Sequence, residues 1–142
     1  MQDTKQPKPQ GKYVTANRHG EWIITAGMTP RDNGKLVMTG KIDSSLPLEH
    51  YKEVVRLSAG NALKAAKGVL TEGERILKVV SMTVYVNAHP DFTLHTQLAD
   101  FASDYLCEEL GEDGVVSRAA VGVASLPSDA PVEIQLFVIA TK

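Results

Sequence analysis

Side chains of a buried face alternate with those of a mixed face along residues 76–86 and 132–140, and this period of two residues predicts β-strands. A hairpin is also predicted within residues 12–25, where two short strand-like segments flank the turn residue Gly20. The hairpin is predicted in the first half of the chain and the longer strands in the second half. These longer strands are predicted over residues 76–86, 117–125 and 132–140.

Two other segments have apolar residues at intervals of three and four, which is the period of an amphipathic helix. These helices are predicted over residues 48–70 and 92–110, and a short strand over residues 36–39 precedes the first of them. We predict a single α+β domain over residues 12–142, with one sheet and two helices packed on one of its faces. Residues 1–11 are almost entirely polar or proline, so a flexible N-terminal arm is predicted there.

The last predicted strand has one aliphatic face and one mixed face. The mixed face combines Glu133 and Gln135 with Phe137 and Ile139, and it is too apolar to remain exposed to water. We therefore predict a homo-oligomer that buries this face and places Glu133 near a site between subunits. The aliphatic face suits the helix-covered side of the sheet and consists of Val132, Ile134, Leu136, Val138 and Ala140.

Composition and charge argue against several classes of function. The 142 residues carry a net charge of −2, so nothing indicates binding to nucleic acid or to an anionic membrane. No apolar segment is long enough to span a bilayer and no signal core is present, so a cytoplasmic protein is predicted. The single cysteine, Cys107, is predicted to be a small buried side chain rather than a nucleophile. The histidines lack the spacing of metal ligands, so no metal site is predicted.

Arg118 is the most informative single residue, because its predicted strand otherwise consists of small apolar residues. A guanidinium in such surroundings needs an anionic partner, and its planar fork matches a carboxylate. Arg118 is therefore either a receptor for a small acid or half of an ion pair at a strand end, with Glu133 as the candidate partner. Glu133 also has two interpretations. It is either a general acid–base whose pKa is raised by partial burial, or a salt-bridged residue at a rim.

A family resemblance rests on two segments. Residues 117–127, with Arg118 and the Leu-Pro pair, are followed by Val-Glu-Ile at residues 132–134, and together they resemble the signature of the RidA/YjgF family. Tyr13-Val14 and the Ile-Ile-Thr-Ala-Gly segment at residues 23–27 form a second match. Weaker matches in the first helix and the long strand extend the resemblance to nearly the whole chain beyond residue 11.

The resemblance implies a chorismate-mutase-like fold and a homotrimer with clefts between neighbouring subunits. It also implies an enzyme that removes reactive metabolites, hydrolysing enamines and imines of 2-amino acids to 2-keto acids and ammonia without a metal or organic cofactor. By the same resemblance, Arg118 binds the substrate carboxylate and Glu133 positions or activates water. The cleft is then lined by Tyr13 in the first strand, by the backbone at Gly27 and by Ala120.

Three positions depart from the pattern of the deaminases in this family, namely Ala26, Ala120 and Asp100. An acid at position 100 is expected to repel an anionic substrate if it faces the cleft. Three functions therefore stay open. The first is deamination of small 2-imino acids, and the second is binding of a small carboxylate or keto acid in the same clefts without turnover. The third is cleavage of RNA, which the net charge disfavours.

Overall fold

The computed structural model describes residues 5–141 and contains a five-stranded sheet, a two-stranded hairpin and two α-helices. The strands of the large sheet are β1 (Ala16–His19), β2 (Trp22–Thr25), β5 (Arg75–Asn87), β6 (Ser117–Val123) and β7 (Val132–Thr141). The hairpin pairs β3 (Arg31–Asp32) with β4 (Lys35–Leu36). The α-helices are α1 (Lys52–Lys67) and α2 (His95–Leu110). Short 3-10 helices cover Leu48–Tyr51, Gly111–Gly114 and Pro127–Asp129.

The strands of the large sheet lie in the order β1-β2-β7-β5-β6. The pairing of β5 with β6 is parallel, because α2 crosses over from the end of β5 to the start of β6. The pairings of β1 with β2, of β2 with β7 and of β7 with β5 are antiparallel. As a result β6, which carries Arg118, is an edge strand, whereas β7, which carries Glu133, lies in the centre of the sheet.

One face of the large sheet is covered by both helices and the other face is open. Every second residue of β7, from Val132 to Ala140, is fully buried, and the residues between them are partly exposed. Helix α1 approaches the sheet closely, since its buried side includes the small residues Ala59, Ala62 and Ala66. The predicted α+β fold with two helices on one face of a sheet is therefore confirmed.

Several predicted boundaries differ from the structure. The predicted first helix begins as a 3-10 turn after Pro47, and the α-helix starts only at Lys52. Of the strand predicted over residues 36–39, only Leu36 lies in a strand, as the last residue of the β3–β4 hairpin. This hairpin turns at Asn33 and Gly34, whose φ angles of 55° and 85° are left-handed values that suit these two residue types.

Two further predictions concern Cys107 and the N-terminal segment. Cys107 is exposed, and the prediction of a buried thiol was wrong because the adjacent Leu106 occupies the core-facing position of α2. Residues 1–4 of the predicted arm lie outside the described residues, and residues 5–11 contain no helix or strand. Within residues 5–141, every helix is too short or too polar to cross a membrane.

Candidate functional site

Glu133 lies on the open face of the sheet, against the backbone of Gly27. Met28 exchanges two backbone hydrogen bonds of 2.8 Å with Ile134 of β7, and these bonds hold the segment after β2 alongside Glu133. The approach is so close that a Cβ atom at position 27 would lie 2.2 Å from Glu133 Oε2. Glycine therefore leaves the room that the carboxylate occupies.

The Glu133 carboxylate is half-buried and lacks a compensating partner. Within residues 5–141 it makes neither a hydrogen bond nor an ion pair. Burial raises the pKa of Glu133 above the ordinary value of a glutamate, since desolvation disfavours the charged form. A carboxyl group with a raised pKa exchanges its proton closer to neutral pH, and this property suits general acid–base chemistry.

Tyr13 and Gly27 line one cavity, which has a volume of about 260 Å³. Residues 5–10 close one side of this cavity, and the Tyr13 hydroxyl accepts a hydrogen bond of 2.9 Å from the backbone N–H of Gln10. Tyr13 itself precedes β1 and does not lie in a strand, because the pairing with β2 begins only at Ala16. The cavity wall thus joins Tyr13 to the Gly27 backbone that contacts Glu133.

Arg118 projects from β6 toward α2. Its Nη1 group donates a hydrogen bond of 2.6 Å to Ser103 Oγ, and its Nη2 group donates one of 2.8 Å to the carbonyl oxygen of Thr96. Asp100 completes the arrangement, with Oδ1 at 2.9 Å from Arg118 Nη1. The ion pair considered between Arg118 and Glu133 is therefore wrong for a single chain, since the carboxylate beside Arg118 belongs to Asp100.

Ala120 faces the same side of β6 as Arg118 and packs partly against the core. Gly122 is the next residue on this side, and a Cβ atom there would lie 2.6 Å from Nε2 of His95. Small residues therefore keep β6 close to the beginning of α2, next to the guanidinium.

Arg118 and Glu133 lie on opposite faces of the sheet. The strand β5 pairs with both of their strands, and it places Met82 opposite Arg118 and Tyr85 opposite Glu133. Residues 82 and 85 are an odd number of positions apart, so their side chains point to opposite faces. Gly27 thus lines the cavity together with Tyr13 and also lies against Glu133, whereas Arg118 and Ala120 lie elsewhere.

The polar side of α2 that receives Arg118 was not predicted from the sequence. Thr96, Asp100 and Ser103 are separated by four and three residues, so they share one side of the helix. This spacing could have indicated a polar stripe, but nothing local indicates that β6 faces it. Within residues 5–141, no group of three or more His, Cys, Asp or Glu side chains is arranged to hold a metal ion.

Asn61 was also missed as a residue that shapes the cavity. It is buried on α1, and its Nδ2 group donates hydrogen bonds of 3.1 and 2.9 Å to the carbonyl oxygens of Thr29 and Arg31. These bonds fix the loop that follows Gly27. A buried amide among the small apolar residues of α1 is the sequence signal that could have revealed it.

The sheet, its two helices and these two groups of residues define a small α+β protein with candidate sites on both faces of the sheet. The sequence pattern of the Endoribonuclease L-PSP family matches residues 3–140, and the chain belongs to this family, which is the YjgF/RidA family. The resemblance noted from the sequence is therefore confirmed.

Individual relatives agree with this assignment. Protein TCP17 of Trypanosoma cruzi is 32% identical over 131 residues, which are 92% of this chain and 82% of that protein. The crystal structure of Atu1372 from Agrobacterium tumefaciens is 30% identical with a TM-score of 0.85, and the match covers 94% of this chain and 86% of that one. The structure of Escherichia coli TdcF with bound serine has the same fold at 22% identity and a TM-score of 0.66, over 97% and 95% of the two chains.

Proposed function

We propose that the protein hydrolyses imines of small 2-amino acids, such as 2-iminobutanoate and 2-iminopropanoate, to 2-keto acids and ammonia. The observation that carries this proposal is the Glu133 carboxylate, which is half-buried and unpartnered within residues 5–141 and lies against Gly27. Such a group can take a proton from water and return it, and imine hydrolysis needs both steps. The serine bound to the related TdcF supports a ligand with the skeleton of a small 2-amino acid.

The proposed reaction begins with an imine whose nitrogen is protonated. Water attacks C2, a C–O bond forms and the Glu133 carboxylate takes the proton that the water loses. The electron pair of the C=N double bond moves to nitrogen and gives a tetrahedral carbinolamine. Glu133 then returns its proton to this nitrogen. The C–N bond then breaks and its electron pair leaves with nitrogen as ammonia, while the hydroxyl passes its proton to the Glu133 carboxylate and becomes the carbonyl group of the 2-keto acid. Glu133 finally releases this proton to solvent.

The role that we propose for Arg118 is to bind the substrate carboxylate, and this role requires a second copy of the chain. Arg118 and Glu133 are on opposite faces of one sheet, so one site can use both residues only if they come from different copies. The open face supports association, because Trp22 and Ile24 are 47% and 43% exposed there. We propose a homotrimer in which the open face of one copy meets the region around Arg118 of the next.

The experiment generates the imine with a dehydratase acting on serine or threonine and traps what remains with semicarbazide. With the protein present, we expect less trapped imine and faster release of keto acid. Glu133→Gln should remove at least about 99% of the acceleration, since general acid–base catalysis contributes roughly a hundredfold or more. Arg118→Ala should also remove most of it, because the substitution takes away the group proposed to bind and orient the substrate carboxylate. Arg75→Ala is the matched control, because this arginine is 59% exposed at the far end of β5.

Mixing the two inactive variants tests the shared site. If subunits exchange at random, about a quarter of the interfaces pair an intact Arg118 with an intact Glu133, and activity should return to that fraction. No return of activity would contradict a site formed from two copies. If the wild type does not accelerate hydrolysis at all, the proposed catalytic function is wrong. Binding without turnover would then be supported by a keto acid that raises the melting temperature of the wild type but not of Arg118→Ala.

A further inference from the structure

The guanidinium of Arg118 already has a carboxylate of its own chain beside it. Asp100 Oδ1 lies 2.9 Å from Nη1, while the hydrogen bonds of Arg118 go to Ser103 and Thr96. A ligand that reaches Arg118 therefore meets a cation and an anion in contact rather than an isolated positive charge. This difference changes which small acids the site favours.

The exposure of the two side chains indicates how a ligand can meet them. Asp100 is 56% exposed and Arg118 is 18% exposed, so the acid forms the outer part of the pair. Within residues 5–141, Asp100 Oδ2 makes no hydrogen bond and remains an acceptor for a ligand. The two hydrogen bonds of Arg118 also leave N–H donors of the guanidinium for a ligand carboxylate.

We propose that Asp100 makes the Arg118 site selective for zwitterionic 2-amino or 2-imino acids over 2-keto acids. In such a zwitterion, the protonated nitrogen is bonded to the carbon atom that bears the carboxylate. The ligand thus carries its own cation and anion side by side, and it matches Arg118 and Asp100 as they lie in the structure. A 2-keto acid has only the negative charge, and its carboxylate is repelled by Asp100.

This selectivity has a consequence for the reaction. The substrate of the proposed hydrolysis carries the nitrogen that Asp100 accepts, whereas the keto acid product has lost it. The site would therefore bind the substrate and release the product through the same two side chains. The inference rests on the proposed role of Arg118 as a carboxylate receptor, but it does not require turnover.

The test compares 2-aminobutanoate with 2-oxobutanoate, which differ only at C2. Binding is measured by calorimetry on wild type, Asp100→Asn and Asp104→Asn. Asp104 is an exposed acid on the same helix, so the control makes the same change of charge. We expect the wild type to bind the amino acid more tightly than the keto acid. In Asp100→Asn the ratio of the two affinities should fall about fivefold or more, since one charge contact is lost and one repulsion is removed. The ratio in Asp104→Asn should stay within about twofold of the wild-type ratio, because screening weakens a more distant exposed charge.

Three results would overturn the inference. They are an unchanged ratio in Asp100→Asn, an equal fall in Asp104→Asn, and a wild type that binds neither compound. Asp100→Ser is a second variant, because this exposed position tolerates a smaller side chain without loss of core packing. If imines are hydrolysed but the ratio does not change, the selectivity is wrong and the proposed reaction stands. If the ratio changes but no imine is hydrolysed, the selectivity stands and the proposed reaction is wrong.

Discussion

Replacing Gly27 by alanine tests the contact on which the candidate acid–base group depends. A methyl group at this position would lie 2.2 Å from Oε2, 2.7 Å from Cδ and 2.8 Å from Cγ of Glu133. Carbon atoms in van der Waals contact are about 3.5 Å or more apart, so the glutamate side chain must move. The φ angle of Gly27 is not left-handed, so alanine introduces no backbone strain there. The three atoms nearest to the new methyl group all belong to Glu133, so the substitution acts first on this side chain.

The expected loss of stability is small and the expected loss of activity is large. Glu133 is half-buried, and its carboxylate can turn toward solvent at the cost of an unfavourable rotamer, about 1 kcal/mol. For a chain of this length, such a change lowers the melting temperature by roughly 3–5 °C. If Glu133 acts on water, its displacement should reduce kcat/KM for imine hydrolysis by about a hundredfold or more.

A double-mutant cycle separates this contact from other effects of the methyl group. Glu133→Ala removes Cγ, Cδ and Oε2, so Gly27→Ala should cost less than about 0.5 kcal/mol in that background, as measured by urea unfolding. Gly11→Ala is the control, because its nearest side-chain atom would lie at an ordinary 3.4 Å. An equal cost of Gly27→Ala in both backgrounds would refute the steric argument. Full activity of Gly27→Ala would refute the role of Glu133.

Two carboxylates should change stability with pH in opposite directions. Arg18 donates hydrogen bonds of 2.6 Å to both carboxylate oxygens of Glu74 and holds the pKa of Glu74 well below its ordinary value. This ion pair therefore stabilises the folded state above about pH 4, and its contribution is lost as the pH falls through the lowered pKa. Glu74→Gln should therefore lower the melting temperature at pH 7 and have less effect in acid. Equal changes in melting temperature for Glu74→Gln and for the exposed control Glu72→Gln would contradict this prediction. Burial raises the pKa of Glu133, so ionisation of this carboxyl group destabilises the folded state as the pH rises above about 4. Glu133→Gln should therefore raise the melting temperature at pH 7 but not below about pH 4. A lower melting temperature of Glu133→Gln at pH 7 would contradict this sign.

The fold was predictable where the information is local. Alternation along β7 identified its buried face, because the side chains of a strand point to its two faces in turn. The positions of both helices were predicted from apolar residues at intervals of three and four, which lie on one side of a helix. The ends of the helices were less predictable, since Pro47 is compatible with either an α-helix or the 3-10 turn that the structure has. The β3–β4 hairpin was missed because two-residue strands have no period to detect.

The candidate site was predictable only in part, because its contacts join residues distant in sequence. The pairing of Arg118 with Asp100 depends on how α2 crosses over between β5 and β6, and no local pattern contains that crossing. The contact between Gly27 and Glu133 likewise depends on the two backbone hydrogen bonds between Met28 and Ile134. Residues of suitable chemistry can be recognised in the sequence, but the register of the strands determines which of them are in contact.

The register also connects the open face with the proposed chemistry. An odd separation along β5 between the partners of Arg118 and Glu133 keeps these two side chains on opposite faces, and no rearrangement of side chains within one chain can change that. Any reaction that needs both residues therefore needs two chains. The exposed Trp22 and Ile24 lie on the face that carries Glu133, and this apolar surface is where we propose that the two chains associate. The apolar open face and the divided site thus lead to the same requirement, and activity recovered by mixing two inactive variants would satisfy it.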